Sequence, residues 1–163
     1  MSADDSVPGS VPIPGSPERT RSASPPGSPN FSGKWRLKES ENFDPFMVDC
    51  NVGYLKRTAA GIVSSEHHIE QEGEHMKVVV KAAGLGSGKH QEYDVGGTFS
   101  EVEINGESAE VDTTWVDEGI RELHRTESFE YLLVRQLVDD DTMVLNLESP
   151  KGTEAKRIYK RIE

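Results

Sequence analysis

The chain has 163 residues, room for about one domain with an extension, and its net charge of −11 with a pI near 4.9 speaks against nucleic-acid binding and against a basic membrane-docking face. Apolar residues make up 34% of it, and no apolar run approaches the roughly 18 residues needed to span a bilayer. Its single cysteine, Cys50, leaves no intrachain disulfide and suits a reducing compartment.

Residues 1–29 contain seven of the nine prolines, many serines and no aromatic residue. Such a stretch buries too little apolar surface to offset its ordering entropy, so it reads as a disordered tail ahead of a folded domain at 30–163. Arg21-Ser22-Ala23-Ser24-Pro25-Pro26 resembles a 14-3-3 docking motif once Ser24 is phosphorylated, and Ser16, Ser24 and Ser28 each precede a proline. Phosphate on them would offer acceptors to an arginine cluster on a phosphoserine-reading partner. The plainer reading is a solubilising tail. Asn30-Phe31-Ser32 has the form of a glycosylation sequon. No apolar signal core follows Met1, so the sequon is expected to stay bare and the protein to work in the cytoplasm, with the nucleus as a second location.

Trp35 and Leu37 alternate with Lys34, Arg36 and Lys38, the pattern of a half-buried strand. Asp44-Pro45 then predicts a helix start, with an acid at the cap and proline at the first helical position. Phe46, Met47 and Cys50 form its apolar stripe. A second short helix is predicted over 52–60, closed by Gly61. Alternating runs follow near 62–70, 75–82, 89–94, 98–104, 108–116, 120–127, 130–138, 142–148 and 154–161. Between them lies turn chemistry, with Asn105-Gly106 the strongest hairpin signal and 84–88 read as a glycine-rich turn. One strand, two helices and nine more strands in hairpin sequence predict an all-β fold: a ten-stranded up-and-down antiparallel barrel, whose closure removes exposed edges. Ten strands enclose enough space for a ligand.

On the closing strand, Arg157 and Tyr159 share one face and Ile158 takes the other. A guanidinium and a phenol so placed can hold both oxygens of a carboxylate. Arg135, on the run Tyr131 to Val138, could reach the same point. The plainer alternative pairs Arg157 with Glu148 or Glu154 on an exposed face. Adjacent His67 and His68 point to opposite faces and cannot share one metal on one side, so with His75 they predict no metal site. Gly84 to Lys89 fails as a phosphate loop, because Ala83 and His90 replace the required glycine and Ser/Thr. Cys50 has no paired histidine, and no base–nucleophile pair is visible, so neither an enzyme nor a cofactor is expected.

Several stretches, in order, resemble the intracellular lipid-binding proteins, the fatty-acid-binding and cellular retinoid-binding proteins. They are Pro29-Asn30-Phe31-Ser32-Gly33-Lys34-Trp35-Arg36, Ser40-Glu41-Asn42-Phe43-Asp44, Ile69 to Glu74, Asp112-Thr113-Thr114-Trp115 and the terminal Lys156-Arg157-Ile158-Tyr159. The resemblance covers about residues 29–163, and two of the stretches are closest to the retinoic-acid-binding branch. It implies a ten-stranded barrel capped by a helix-turn-helix lid, acting as a non-enzymatic carrier. The implied ligand is a long-chain fatty acid or retinoic acid whose carboxylate is held by Arg157, Tyr159 and Arg135. Retinol-binding members carry glutamine at the two arginine positions, so an acid is expected over an alcohol. Phe46, Met47 and Tyr54 would belong to the lid, with Leu85 on the loop facing it. The expected state is a monomer that transfers its ligand through water without stable membrane insertion. The rivals are a partner-binding protein regulated through its phosphorylated tail, with the barrel empty or regulatory, and a secreted lipocalin. The missing signal and the two early helices count against the latter.

Overall fold

The structure is a computed structural model describing residue 25, residues 27–82 and residues 85–163, with the backbone alone at 85–87. Of the phosphorylation candidates, Ser16 and Ser24 lie outside the described residues; the Ser28 hydroxyl donates to the Pro25 carbonyl at 2.6 Å.

Strand alternation starts where the aromatic residues start. Strand β1 (Gly33–Glu41) turns Trp35 inward, where it is fully buried and donates its indole N–H to the Phe31 carbonyl at 2.9 Å. Helices α1 (Phe43–Asp49) and α2 (Tyr54–Ile62) follow. Then come β2 (Ser65–Glu72), β3 (His75–Ala82), β4 (Leu85–Asp94), β5 (Thr98–Val102), β6 (Ser108–Trp115), β7 (Gly119–Arg125), β8 (Glu130–Asp139), β9 (Thr142–Glu148) and β10 (Glu154–Arg161). They form one ten-stranded antiparallel sheet in the order β4-β3-β2-β1-β10-β9-β8-β7-β6-β5. Every strand pairs with its chain neighbour except β4 with β5, and β1 pairs with β10 to bring the two ends of the fold together. The β4–β5 seam is bridged by side chains instead: the Tyr93 and Phe99 rings stack at 4.7 Å, and Gln91 donates to Glu101 at 2.7 Å.

Three element boundaries differ from the sequence reading, each for a local reason. Helix α1 begins at Phe43, not after Asp44, because Asn42 adopts the left-handed conformation (φ 59°) that asparagine tolerates and serves as the cap. The Asn42 side chain donates to the Glu154 carbonyl at 3.1 Å, tying the lid to β10. Asp44 falls in the first turn, where it favours the helix dipole and pairs with Arg57 at 3.0 Å. Helix α2 starts at Tyr54 and includes Gly61; its exit at Val63 is extended, so no left-handed glycine cap is needed. The glycine-rich segment read as a turn belongs to β4, which starts at Leu85. Gly88 sits there at φ +79, and a Cβ would meet the Val80 carbonyl oxygen at 2.6 Å; the β3–β4 register shifts at this bulge, between Val80 and Ala82.

Inside, Phe31, Trp35, Met76, Val78, Val95, Val111, Ile120 and Met143 are all buried, and Phe46 and Met47 drop from α1 onto the core. Polar side chains share this interior: His67, Glu103, Thr113, Glu122, His124, Arg135 and Arg157 are buried as well. A dry core would make each of those costly.

Candidate ligand site in the barrel interior

Strand periodicity and register bring the two arginines together. On β8 the inward positions include Leu133 and Arg135, and on β10 they are Ala155, Arg157 and Tyr159. Arg135 stands opposite Leu145 of β9, which in turn stands opposite Arg157 of β10. The three form one row on one face, so the arginine backbones are about 10 Å apart, two strand spacings. Tyr159 lies one inward step along, opposite Met143.

Neither arginine has an acidic partner within 4 Å among the described residues, and Glu148 and Glu154 do not reach Arg157. Arg135 is 2% exposed. It donates from Nη1 to His67 Nδ1 on β2 at 3.1 Å and to the Met143 sulfur at 3.4 Å, while its Nε has no partner among the described residues. Burial, and then the positive charges of Arg135 and Arg157, hold the His67 pKa well below the usual imidazole range. The ring is neutral and presents a lone pair at Nδ1, so it orients Arg135 without cancelling its charge. Arg157 stacks on the Phe43 ring at 3.9 Å, the first residue of α1. That contact is a cation–π pair between the closing strand and the lid. Tyr159 is 1% exposed, its ring lies 4.6 Å from His67, and its hydroxyl reaches Ser65 Oγ only at 3.5 Å. Two guanidinium groups and a weakly engaged phenol are thus buried on one face of the barrel wall.

The lid residues separate into two groups. Phe46 stands edge-on to Tyr131 at 5.2 Å and Met47 is buried beside it, above a cavity of about 30 Å³ bounded also by Cys50, Phe129 and Glu103. Tyr54 points outward, 71% exposed, with the Arg57 guanidinium over its ring at 5.8 Å. Leu85 pairs through its backbone with Ala82 at the start of β4. Cys50 is buried, and burial, with the charges of Glu103 and Asp49, pushes its thiol pKa up to about 12, the opposite of a nucleophile's environment.

His67, Phe43 and Ser65 were not legible as site residues. His67 meets Arg135, Phe43 meets Arg157 from the lid and Ser65 meets Tyr159, and the one sequence signal was the inward parity of His67 with Ile69 on β2.

Human intestinal fatty acid-binding protein is 31% identical to this chain over 135 residues, covering 80% of the chain and 98% of that protein. The chain belongs to the fatty-acid-binding and cellular retinoic-acid-binding protein family. Cellular retinoic acid-binding protein 1 of Takifugu rubripes is 29% identical over 90 residues, which is 55% of the chain and 66% of that relative's length. Among solved structures, the Schistosoma mansoni fatty acid binding protein in complex with arachidonic acid superposes with a TM-score of 0.73 at 23% identity, over 82% of the chain and 96% of that protein. A fatty acid transporter named REP1-NXSQ gives 0.72 at 23% identity, over 81% of the chain and 96% of its own. These two establish the fold. No family model matches the chain. Among the described residues no helix is long and apolar enough to cross a membrane. As a member of this family, the chain carries its helix pair between the first and second strands, where α1 covers one end of the barrel through Phe43, Phe46 and Met47.

Proposed function

We propose that the protein is a non-enzymatic carrier that takes a hydrophobic carboxylate, a long-chain fatty acid or retinoic acid, into the barrel, with the carboxylate held by Arg135, Arg157 and Tyr159. The observation that carries this reading is the pair of buried guanidinium groups with no acid within 4 Å among the described residues. A buried arginine left without an anion is unfavourable by several kcal/mol, and an incoming carboxylate removes that penalty. The relatives named for fatty acid and retinoic acid binding support the same ligand class. The apolar chain of the ligand supplies most of the affinity, about 0.8 kcal/mol per buried CH₂, while the arginines fix its direction and discriminate against neutral analogues.

The test is titration of delipidated protein with oleic acid, retinoic acid and retinol, followed by displacement of a fluorescent fatty-acid probe. One or both acids should bind well ahead of retinol. Arg157→Gln should weaken acid binding by about 10-fold or more, the worth of a charged hydrogen bond, and change retinol binding far less. Equal losses for acid and alcohol would remove the carboxylate assignment, and absence of binding by all three would remove the carrier reading.

A further inference from the structure

A second polar group lines the barrel away from the arginines. Glu122 and His124 alternate on the inward face of β7, and Glu101 from β5, Glu103 just beyond it and Tyr131 from β8 converge on them. His124 Nδ1 lies 2.8 Å from Glu103 Oε2 and 3.2 Å from Glu101 Oε2. On the other side of the ring, Nε2 lies 2.8 Å from Glu122 Oε1. Tyr131 donates its hydroxyl to Glu103 at 2.7 Å. The side chains of His124, Glu101, Glu103 and Glu122 are 2, 5, 7 and 2% exposed.

We propose that Glu101, Glu103 and His124 Nδ1 form a binding site for a divalent transition-metal cation of the zinc type. One imidazole with two carboxylates is a donor set such ions accept. The three ligand atoms already lie within 4.8 Å of one another. Opening the two nitrogen–oxygen separations to about 3.3 Å would seat an ion about 2.0–2.2 Å from each. The surroundings are those of a metal-ligating histidine: Nε2–H donates to the Glu122 carboxylate, which fixes the ring and its tautomer, and Tyr131 fixes Glu103 in the same way.

The charge of the cluster favours a cation there. Within the cluster three carboxylates face one imidazole and the ammonium of Lys89, 3.2 Å from Glu101, so negative charge is in excess even with the ring protonated. When a divalent ion replaces the Nδ1 proton, one proton leaves, two positive charges enter, and the cluster with Lys89 becomes neutral. On the Nε2 side of the ring, Glu122 Oε2 is buried without a partner among the described residues. Glu101 reaches this point from the β4–β5 seam, where no backbone ladder separates it from solvent. Strand parity rules out a shared metal for adjacent His67 and His68, whereas His124 on β7 meets Glu101 of β5 and Glu103 just beyond it.

The experiment is calorimetric titration of the chelator-stripped full chain with zinc chloride at pH 7, with cobalt(II) substitution read in the visible spectrum. One ion per chain is expected, with cobalt bands of a four- or five-coordinate site. Glu103→Gln and Glu122→Gln should each weaken binding by about 10-fold or more. Arg157→Gln should leave it unchanged, which separates this site from the carrier reading. No heat and no cobalt bands would overturn the proposal. So would a loss of binding in His75→Asn with Glu103→Gln unaffected, since His75 sits on the surface between Glu92 and Asp94. If the glutamine variants fail to fold, the melting temperature decides: His75→Asn protein should melt higher in zinc than in chelator, and no difference overturns the site.

Discussion

Arg135 is the residue at which stability and binding are set against each other. Its guanidinium is buried, is held by a neutral histidine and a thioether, and leaves its Nε without a partner among the described residues. In ligand-free protein, a methionine of similar length would pack against Met143 without the desolvation penalty. Arg135→Met should therefore raise the urea midpoint of delipidated protein, by the equivalent of about 1 kcal/mol or more, while acid binding is lost. A lower midpoint would mean that the arginine is held for structural reasons. Alternation alone put Arg157 and Tyr159 on one face and Arg135 within reach, because inward parity on a strand is a local property. The partners of those residues were not readable. His67 contacts Arg135 and Phe43 contacts Arg157 from the lid, and both contacts exist only after β2 and α1 have docked.

Element boundaries followed the turn chemistry where one residue type decides and slipped where the third dimension decides. Strands β3, β9 and β10 begin and end where the alternating runs do. The β4 start did not, because a run of glycines reads as a turn until Gly88 is seen pressed against the Val80 carbonyl oxygen. Another glycine positions the site itself. At Gly119, the first residue of β7, a Cβ would overlap the carbonyl oxygen of Arg135 on the paired strand. Gly119→Ala should push β8 outward there, costing about 1–3 kcal/mol as an overpacking change. It should also weaken acid binding through Arg135 while leaving the far end of β8, at Tyr131, in register. Unfolding midpoints and the ligand titration together test this. An unchanged midpoint with unchanged affinity would show that the strands accommodate the methyl group without moving the site.

Across the whole molecule the sheet is continuous except at β4 and β5, which side chains alone bridge. Backbone groups facing that seam have no ladder partner, so amide hydrogen exchange along it should run ahead of exchange in β9, which is paired on both sides. Equal protection would mean that the seam closes in solution. Turn spacing predicted ten strands and a closed order, but nothing local to 85–94 or 98–102 signals which neighbouring pair stays apart. The opposite side of the barrel is closed with more redundancy. Lys34 N–H donates to the Glu163 carbonyl, Ile162 N–H donates to the Lys34 carbonyl, and the Arg161 guanidinium lies over Trp35 at 4.2 Å while donating to Ser32. Strand β10 lies between β1 and β9, two elements separated by most of the chain. A growing polypeptide therefore emerges from the ribosome with nine strands waiting for the one that carries Arg157 and Tyr159. Until it arrives, β1 and β9 are open edges and the lumen lacks both Arg157 and Tyr159, so the proposed carboxylate contacts form last.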